Sequence, residues 1–246
     1  MYSEVTKNAV VCKNVSYVYP DGTPALNDIN LEIIMGEKTA VIGPNGAGKS
    51  TLLQLFNGIK RGIGKINIFE YSLEEENLKH IKTLVGLVFQ NPDDQLFCPK
   101  IFDDVAFGPL NLGLPDTEIE KRVAEALTNV GLEGFEQRSS LHLSYGERKL
   151  AAMASILSLK PRLIAMDEPT SNLDPLHRRK IIHWLQKSDL TCVITTHDLD
   201  MVVETCQTVI LLNRGQVIAH GNIEDILRNK NLLESNDLEL PLKWQT

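Results

Sequence analysis

Residues 43–50 read Gly43-Pro44-Asn45-Gly46-Ala47-Gly48-Lys49-Ser50. Every fixed position of G-x-x-x-x-G-K-[ST] is met. The apolar run Thr39-Ala40-Val41-Ile42 precedes it, and a helical pattern starts near Lys49. A strand, a glycine-rich turn and a helix in that order make a phosphate cradle. The glycines leave room for consecutive backbone N–H groups to wrap an anion, and the helix points its positive end at the same place. In such a loop Lys49 reaches the β- and γ-phosphates, and the Ser50 hydroxyl ligates Mg²⁺. The stretch therefore reads as a nucleoside-triphosphate site on an α/β sheet.

A second stretch belongs with the first. Leu163-Ile164-Ala165-Met166 is an apolar strand that ends in Asp167-Glu168. A carboxylate at the carboxyl end of a strand beside a phosphate loop can hold Mg²⁺, and Asp167 takes that role. Glu168, the next residue, suits a general base that polarises the attacking water.

Working outward, Val10–Tyr19 and Leu26–Ile34 read as strands separated by the turn Pro20-Asp21-Gly22. Val85–Phe89, Arg162–Met166, Thr191–Thr195, Thr208–Asn213 and Gln216–Ala219 are further strands, with a helix over Pro175–Lys187. Between Asn91 and Leu159 strand signals are scarce. Helical patterns cover Lys100–Phe107, Asp116–Val130 and Ser144–Leu159, and Pro161 ends the segment. Strands alternating with helices imply a sheet with ligands at the strands' carboxyl ends.

The 246 residues are 43% hydrophobic and 23% charged, with a net charge of −7. That is the balance of an ordinary globular protein and lacks a strongly basic nucleic-acid footprint. No apolar run is long enough to span a bilayer, and Met1–Val5 lacks the pattern of a signal peptide. The four cysteines are scattered without C-x-x-C spacing, so a zinc site or disulfide framework is not expected.

Leu143-Ser144-Tyr145-Gly146-Glu147 lies between the two phosphate motifs, Phe89-Gln90-Asn91-Pro92 before it, and Pro169–Asp174 and Thr195-Thr196-His197-Asp198 after them. In this order and spacing the chain resembles the ATP-binding-cassette (ABC) ATPases along nearly its whole length. The resemblance implies a P-loop NTPase (RecA-like) core, an antiparallel β subdomain and an inserted α-helical subdomain. It makes residues 1–246 one ABC ATPase domain. Residues 1–90 and 161–246 are then the nucleotide-binding core with the β subdomain, and 91–160 the helical signature subdomain. ATP and Mg²⁺ are the implied ligands. The loop residues Gly43, Pro44, Asn45, Gly46, Ala47, Gly48, Lys49, Ser50 and Thr51 would hold the phosphates. Gln90 becomes a Mg²⁺ and water contact, and His197 a switch at the γ-phosphate. Ser144 and Gly146 would face the nucleotide of a second cassette, homodimeric or heterodimeric. Ser144 with Glu147 three positions on also forms a capping-box pattern. Asp174 resembles an interface acid, and equally fits the N-cap before Pro175. Tyr19 is the candidate for adenine stacking, with Tyr17 its competitor. Tyr145 stands where the family usually has glycine, and it would be strained if that position required positive φ.

Gln90–Gly113 is similar to the ATPases of energy-coupling-factor (ECF) vitamin and metal importers, and the L-S-Y-G-E form of the signature with the run Gly108–Leu114 leans to the cobalt/nickel type. The implied partners are an integral-membrane coupling protein and a separate solute-binding membrane protein, with the chain on the cytoplasmic face of the cell membrane. Gln95, Leu96, Phe97 and Phe102 fit either a groove for a partner helix or local core. Residues 231–246 are expected to be partly mobile. The alternatives are an ABC ATPase of another importer or exporter, or a soluble one acting on nucleic acid or ribosomes. The long coiled coils or zinc modules of the soluble type are missing from this sequence.

Overall fold

The computed structural model describes residues 7–245. Met1–Val5, read above for a leader, lie outside it, as does Thr246. The strands are β1 (Asn8–Val18), β2 (Pro24–Ile34), β3 (Lys38–Ile42), β4 (Ile63–Ile68), β5 (Tyr71–Ser72), β6 (Val85–Val88), β7 (Leu163–Asp167), β8 (Thr191–Thr195), β9 (Thr208–Asn213) and β10 (Gln216–Asn222). The helices are α1 (Lys49–Phe56), α2 (Leu78–Leu84), α3 (Ile101–Asn111), α4 (Asp116–Asn129), α5 (Tyr145–Leu157), α6 (Pro175–Lys187), α7 (Leu199–Thr205), α8 (Ile223–Leu227) and α9 (Lys230–Glu234).

Six strands form one sheet in the order β10-β9-β3-β8-β7-β6. Its pairs are parallel except β9–β10, which is a hairpin. A parallel sheet is covered on both faces, and its strands read as continuous apolar runs for that reason. Side chains alternate between two cores. Ala40, Ile42, Ile164, Met166, Cys192 and Ile194 enter one core with the helices α3–α7. Val41, Leu163, Ala165, Val193 and Ile210 enter the other, together with α1 and the inner face of the second sheet.

That second sheet is antiparallel, in the order β2-β1-β4-β5. β4 and β5 carry no clear strand signal in the sequence. Gly62, Gly64, Lys65 and Asn67 make the segment look like a loop. The glycine at 64 is there for proximity: a Cβ would stand 2.3 Å from the Asn14 carbonyl oxygen of β1, and φ is +104°.

Between β6 and β7 the chain makes helices and no strand. The Gly108-Pro109 pair suggests that α3 stops at Phe107, yet the helix continues to Asn111. Proline has no N–H for the carbonyl four residues back. That carbonyl, of Val105, instead accepts the Ser158 hydroxyl at 2.7 Å. A buried acceptor is thereby satisfied and the helix passes through.

The C-terminal residues pack rather than trail. Lys243 Nζ lies 2.9 Å from Glu204 Oε1, the Lys243 amide donates to Asp200 Oδ1 at 3.1 Å, and Leu233 is buried. The expectation of a mobile tail is corrected accordingly for residues 231–245: two acids of α7 hold it.

α1 sits between the sheets, and Phe56 on it is fully buried. Phe56→Ala should destabilise the protein by about 3–5 kcal/mol, seen as a lower urea midpoint with an unchanged slope.

Candidate nucleotide site

The glycine-rich loop joins β3 to α1. Gly48 caps the helix at φ +102°, and a Cβ there would come within 2.6 Å of the Ala25 carbonyl oxygen. The Leu52 amide donates to the Gly48 carbonyl at 2.9 Å. It makes the first i→i−4 bond of α1, so the amides of Lys49, Ser50 and Thr51 are left to an outside acceptor at the helix's positive end. Lys49 Nζ donates to the carbonyl oxygens of Gly43 at 2.8 Å and Pro44 at 3.1 Å. Burial pushes the ammonium down, and Glu168 and Asp167 oppose that.

The carboxyl ends of β7 and β8 complete the cleft. Asp167 Oδ1 accepts the Thr195 hydroxyl at 2.5 Å. Glu168 leaves the strand with φ +47°, and its amide donates to the Thr195 carbonyl at 3.0 Å. Glu168 Oε1 is buried and has no hydrogen-bond partner among the described residues. Burial raises the Glu168 carboxyl above its ordinary value, against the His197 amide, which donates to Oε2 at 3.4 Å, and the nearby Lys49 charge. His197 Nε2 lies 3.1 Å from both Lys49 Nζ and Asn45 Oδ1 and 3.6 Å from Glu168 Oε1. Burial, then the Lys49 charge, lowers the imidazole. A carboxylate that binds protons more readily than usual beside a neutral imidazole can take a proton from water.

One cleft of about 560 Å³ is lined by Tyr19, Asn45, Gly46, Gly48, Lys49, Ser50, Thr51, Gln90, Asp167, Glu168 and His197. Gly43, Pro44 and Ala47 shape the loop's backbone behind it. Tyr19 also bonds the Thr51 hydroxyl at 2.7 Å. Tyr17 meets the Tyr19 ring edge-on at 5.2 Å and packs on the core instead of lining the cleft. Ser144, Gly146 and Asp174 do not line it. Ser144 caps α5, its hydroxyl accepting from the Glu147 amide at 3.2 Å while Glu147 Oε2 accepts from the Ser144 amide at 2.8 Å. Gly146 is buried under His177, whose ring a Cβ would meet at 2.3 Å. Asp174 caps α6, accepting from the amides of Leu176 and His177. Tyr145 is the first helical residue of α5 and is not among the positive-φ residues, so it carries no backbone strain.

Sequence reasoning gives no role to Thr195, Ser171, Asn172 or Lys149. Ser171 and Asn172 also line the cleft. Lys149 is fully buried, and burial pushes its ammonium down to about 8 against the pull of Asp167 and Glu168. A lysine directly before a run of four apolar residues (Leu150, Ala151, Ala152, Met153), all buried, is the one signal that singles it out.

The ABC transporter family profile matches residues 26–171. The chain belongs to that family. It is an ATP-binding, ATP-hydrolysing cassette. It is 48% identical over 237 residues to the energy-coupling factor transporter ATP-binding protein EcfA of Methanothermobacter thermautotrophicus, covering 93% of this chain and 76% of that one. Among solved structures it is similar to cbiO1 of Clostridium perfringens, described as part of the ABC transporter complex cbiONQ. The TM-score is 0.82 at 36% identity, over 93% and 94% of the two chains. It is also similar to the ATP-binding cassette MJ0796, a dimer with ADP and Pi in a post-hydrolysis state. There the TM-score is 0.79 at 28% identity, over 87% and 98% of the chains. No described helix of this cassette is long and apolar enough to cross a membrane.

Asp198, next to His197, anchors α7 to α6. The Arg178 guanidinium grips it at 2.7 and 2.9 Å, and the Thr170 hydroxyl and Met201 amide add bonds. Burial pushes this carboxyl up, but those partners outweigh it and the net effect is downward from 3.8. A depressed folded-state pKa contributes stability that is present above the unfolded value and is lost as pH falls through the folded one. Asp198→Asn should therefore lower the melting temperature at pH 7, and its deficit against the unsubstituted protein should shrink below about pH 4. Thermal melts across that range check this. Gly48→Ala should abolish binding of a fluorescent ATP analogue, because neither its φ nor the Ala25 carbonyl admits a side chain.

Proposed function

We propose that this cassette is the ATPase of an ECF-type importer, driving uptake of cobalt or nickel or of a vitamin, with the metal reading favoured by the form of the signature region. The observation that carries the ATPase part is one cleft that brings Lys49, Gln90, Asp167, Glu168 and His197 together, while the Ser144 helix start of the same chain lies outside it. A second cassette supplies that missing wall. The dimeric MJ0796 neighbour supports this, and the EcfA and cbiO1 names support the branch.

In this reading the loop amides and Lys49 bind the β- and γ-phosphates of ATP, and Tyr19 stacks on adenine, held by its bond to Thr51. Ser50 hydroxyl, Gln90 amide and Asp167 carboxylate are three hard oxygen donors from three elements on one cleft, which suits Mg²⁺ and would hold it. When bound, that ion would supply charge neutralisation for the phosphate being transferred. Glu168 takes the proton of the attacking water through its unpartnered Oε1. His197 holds Glu168 and contacts the γ-phosphate, and Ser144 and Gly146 of the second cassette close over it, with Asp174 at the interface. Loss of the γ-phosphate removes the charge bridge between the subunits, and the dimer opens.

The membrane partner docks on the helical segment, at the cytoplasmic face. Phe97 and Phe107 are exposed and meet edge to face at 5.1 Å, with Leu110 exposed on the same helix as Phe107. Such an apolar patch marks an interaction surface. Of the residues proposed to line a groove, only Phe97 is exposed. Leu96 is buried, Phe102 packs on the core, and Gln95 bonds to α5.

Glu168→Gln should keep ATP binding, lower turnover by at least about 100-fold, and accumulate an ATP-dependent dimer in size-exclusion chromatography. Turnover near the unsubstituted rate would remove Glu168 from this role. Purification of the tagged cassette from native membranes tests the branch. Co-purification of a small coupling protein with a separate solute-binding membrane protein supports the ECF reading and identifies the solute. A fused, large membrane partner overturns it.

A further inference from the structure

α5 does more than present Ser144. Two of its side chains, Tyr145 and Lys149, stand one turn apart and reach the same loop. Lys149 is 0% exposed. Its ammonium donates to the carbonyl oxygens of Phe89 at 3.1 Å and Gln90 at 2.6 Å. The Tyr145 hydroxyl donates to the Gln90 carbonyl at 3.3 Å. A third tie runs through Gln95, which accepts the Phe89 amide at 3.2 Å and donates to Ala152 O at 2.7 Å and Ser155 Oγ at 2.9 Å, both on α5.

Placing an ammonium in a buried position is costly unless it is hydrogen-bonded. Here its bonds go to backbone carbonyls rather than to a carboxylate. The two carbonyls belong to the peptide planes on either side of the Gln90 Cα. Each plane is rigid, so holding both sets φ and ψ of Gln90 and the direction of its Cα–Cβ bond. Tyr145 adds a second donor to one of those carbonyls, which gives the departure from glycine in the signature a physical use. Leucine at 149 would fill the space without desolvating a charge, but would leave the loop end free to turn.

We propose that Lys149 and Tyr145 are positioning residues that aim the Gln90 side chain into the nucleotide cleft and join the signature helix to that loop as one rigid piece. This rests on the reading of Gln90 as a contact for the cation and the attacking water. Neither residue lines the nucleotide cleft of its own chain. Their effect passes through Gln90, and so appears in turnover and Mg²⁺ dependence rather than in ATP affinity.

The test is a set of steady-state ATPase measurements on the full chain, with Mg²⁺ and ATP varied separately. Lys149→Met should lower kcat by about tenfold, raise the Mg²⁺ concentration for half-maximal rate, and leave KM for ATP within about twofold. Tyr145→Phe, which removes one hydroxyl, should lower kcat by about threefold. Combined with Gln90→Ala, neither should add a further loss, because the group they position is gone. Losses that multiply with Gln90→Ala, or a change in melting temperature with kcat intact, would overturn the proposal while leaving Gln90 in place. An unchanged kcat in Gln90→Ala alone would overturn the reading of Gln90 and this one with it. If Lys149→Met does not fold, the cycle of Tyr145→Phe with Gln90→Ala decides the question alone.

Discussion

The lateral pairing of β3 with β8 and of β8 with β7 is the constraint on which the site depends. Lys38–Val41 run in register with Cys192–Thr195, and Leu163–Asp167 with Thr191–Thr195. Because these strands are parallel, their carboxyl ends meet along one edge. The glycine loop leaves β3 there, the acids Asp167 and Glu168 end β7 there, and His197 follows β8 there. Thr195 is the hinge of the arrangement, since its hydroxyl meets Asp167 and its carbonyl accepts from Glu168. A shift of one residue in any pairing would turn every side chain to the opposite core. The apolar alternation across both cores therefore protects the chemistry at the edge.

The charges at that edge are poised against one another. One ammonium, two carboxylates and an imidazole share a partly dehydrated cleft, and each feels the others more than it would in water. Burial pushes Glu168 toward holding a proton and Lys49 and His197 toward releasing one. An unpartnered buried carboxylate oxygen is costly in a resting protein. In the proposed reading it is the group that receives the proton of the attacking water. The positive φ of Glu168 is sustained by the same surroundings, which hold its amide on the Thr195 carbonyl.

The helical segment is tied to the edge by α5, not by the chain ends alone. Lys149, Tyr145, Gln95 and the Arg148–Asp93 pair at 3.0 Å all connect this helix to the loop after β6. In the proposed dimer, the helix that caps on Ser144 and faces the second cassette is thus the helix that holds the loop at the first nucleotide cleft. Phe97 and Phe107 are exposed on the same segment, so the membrane partner proposed to dock there would act close to these ties.

The phosphate loop, the strand-terminal acids and their order were legible in the sequence because each depends on local chemistry. Glycines before a lysine, a capping serine with glutamate three residues on, and proline after an aspartate each state their conformation without help from distant residues. The β-rich runs that became β3, β7, β8 and β9 were legible because burial on both faces makes their middles continuously apolar and confines polar residues to their ends. What tertiary structure decided was everything that depends on two segments meeting. β4 exists because Gly64 lets it approach β1. α3 passes Pro109 because Ser158, far along the chain, supplies the missing donor. Tyr19 rather than Tyr17 lines the cleft because of where the turn after β1 falls. Lys149 faces Gln90 only once α5 has packed against β6. A sequence declares which backbone conformations are open to it, but the partner of a buried polar group is chosen by packing, across dozens of residues at once.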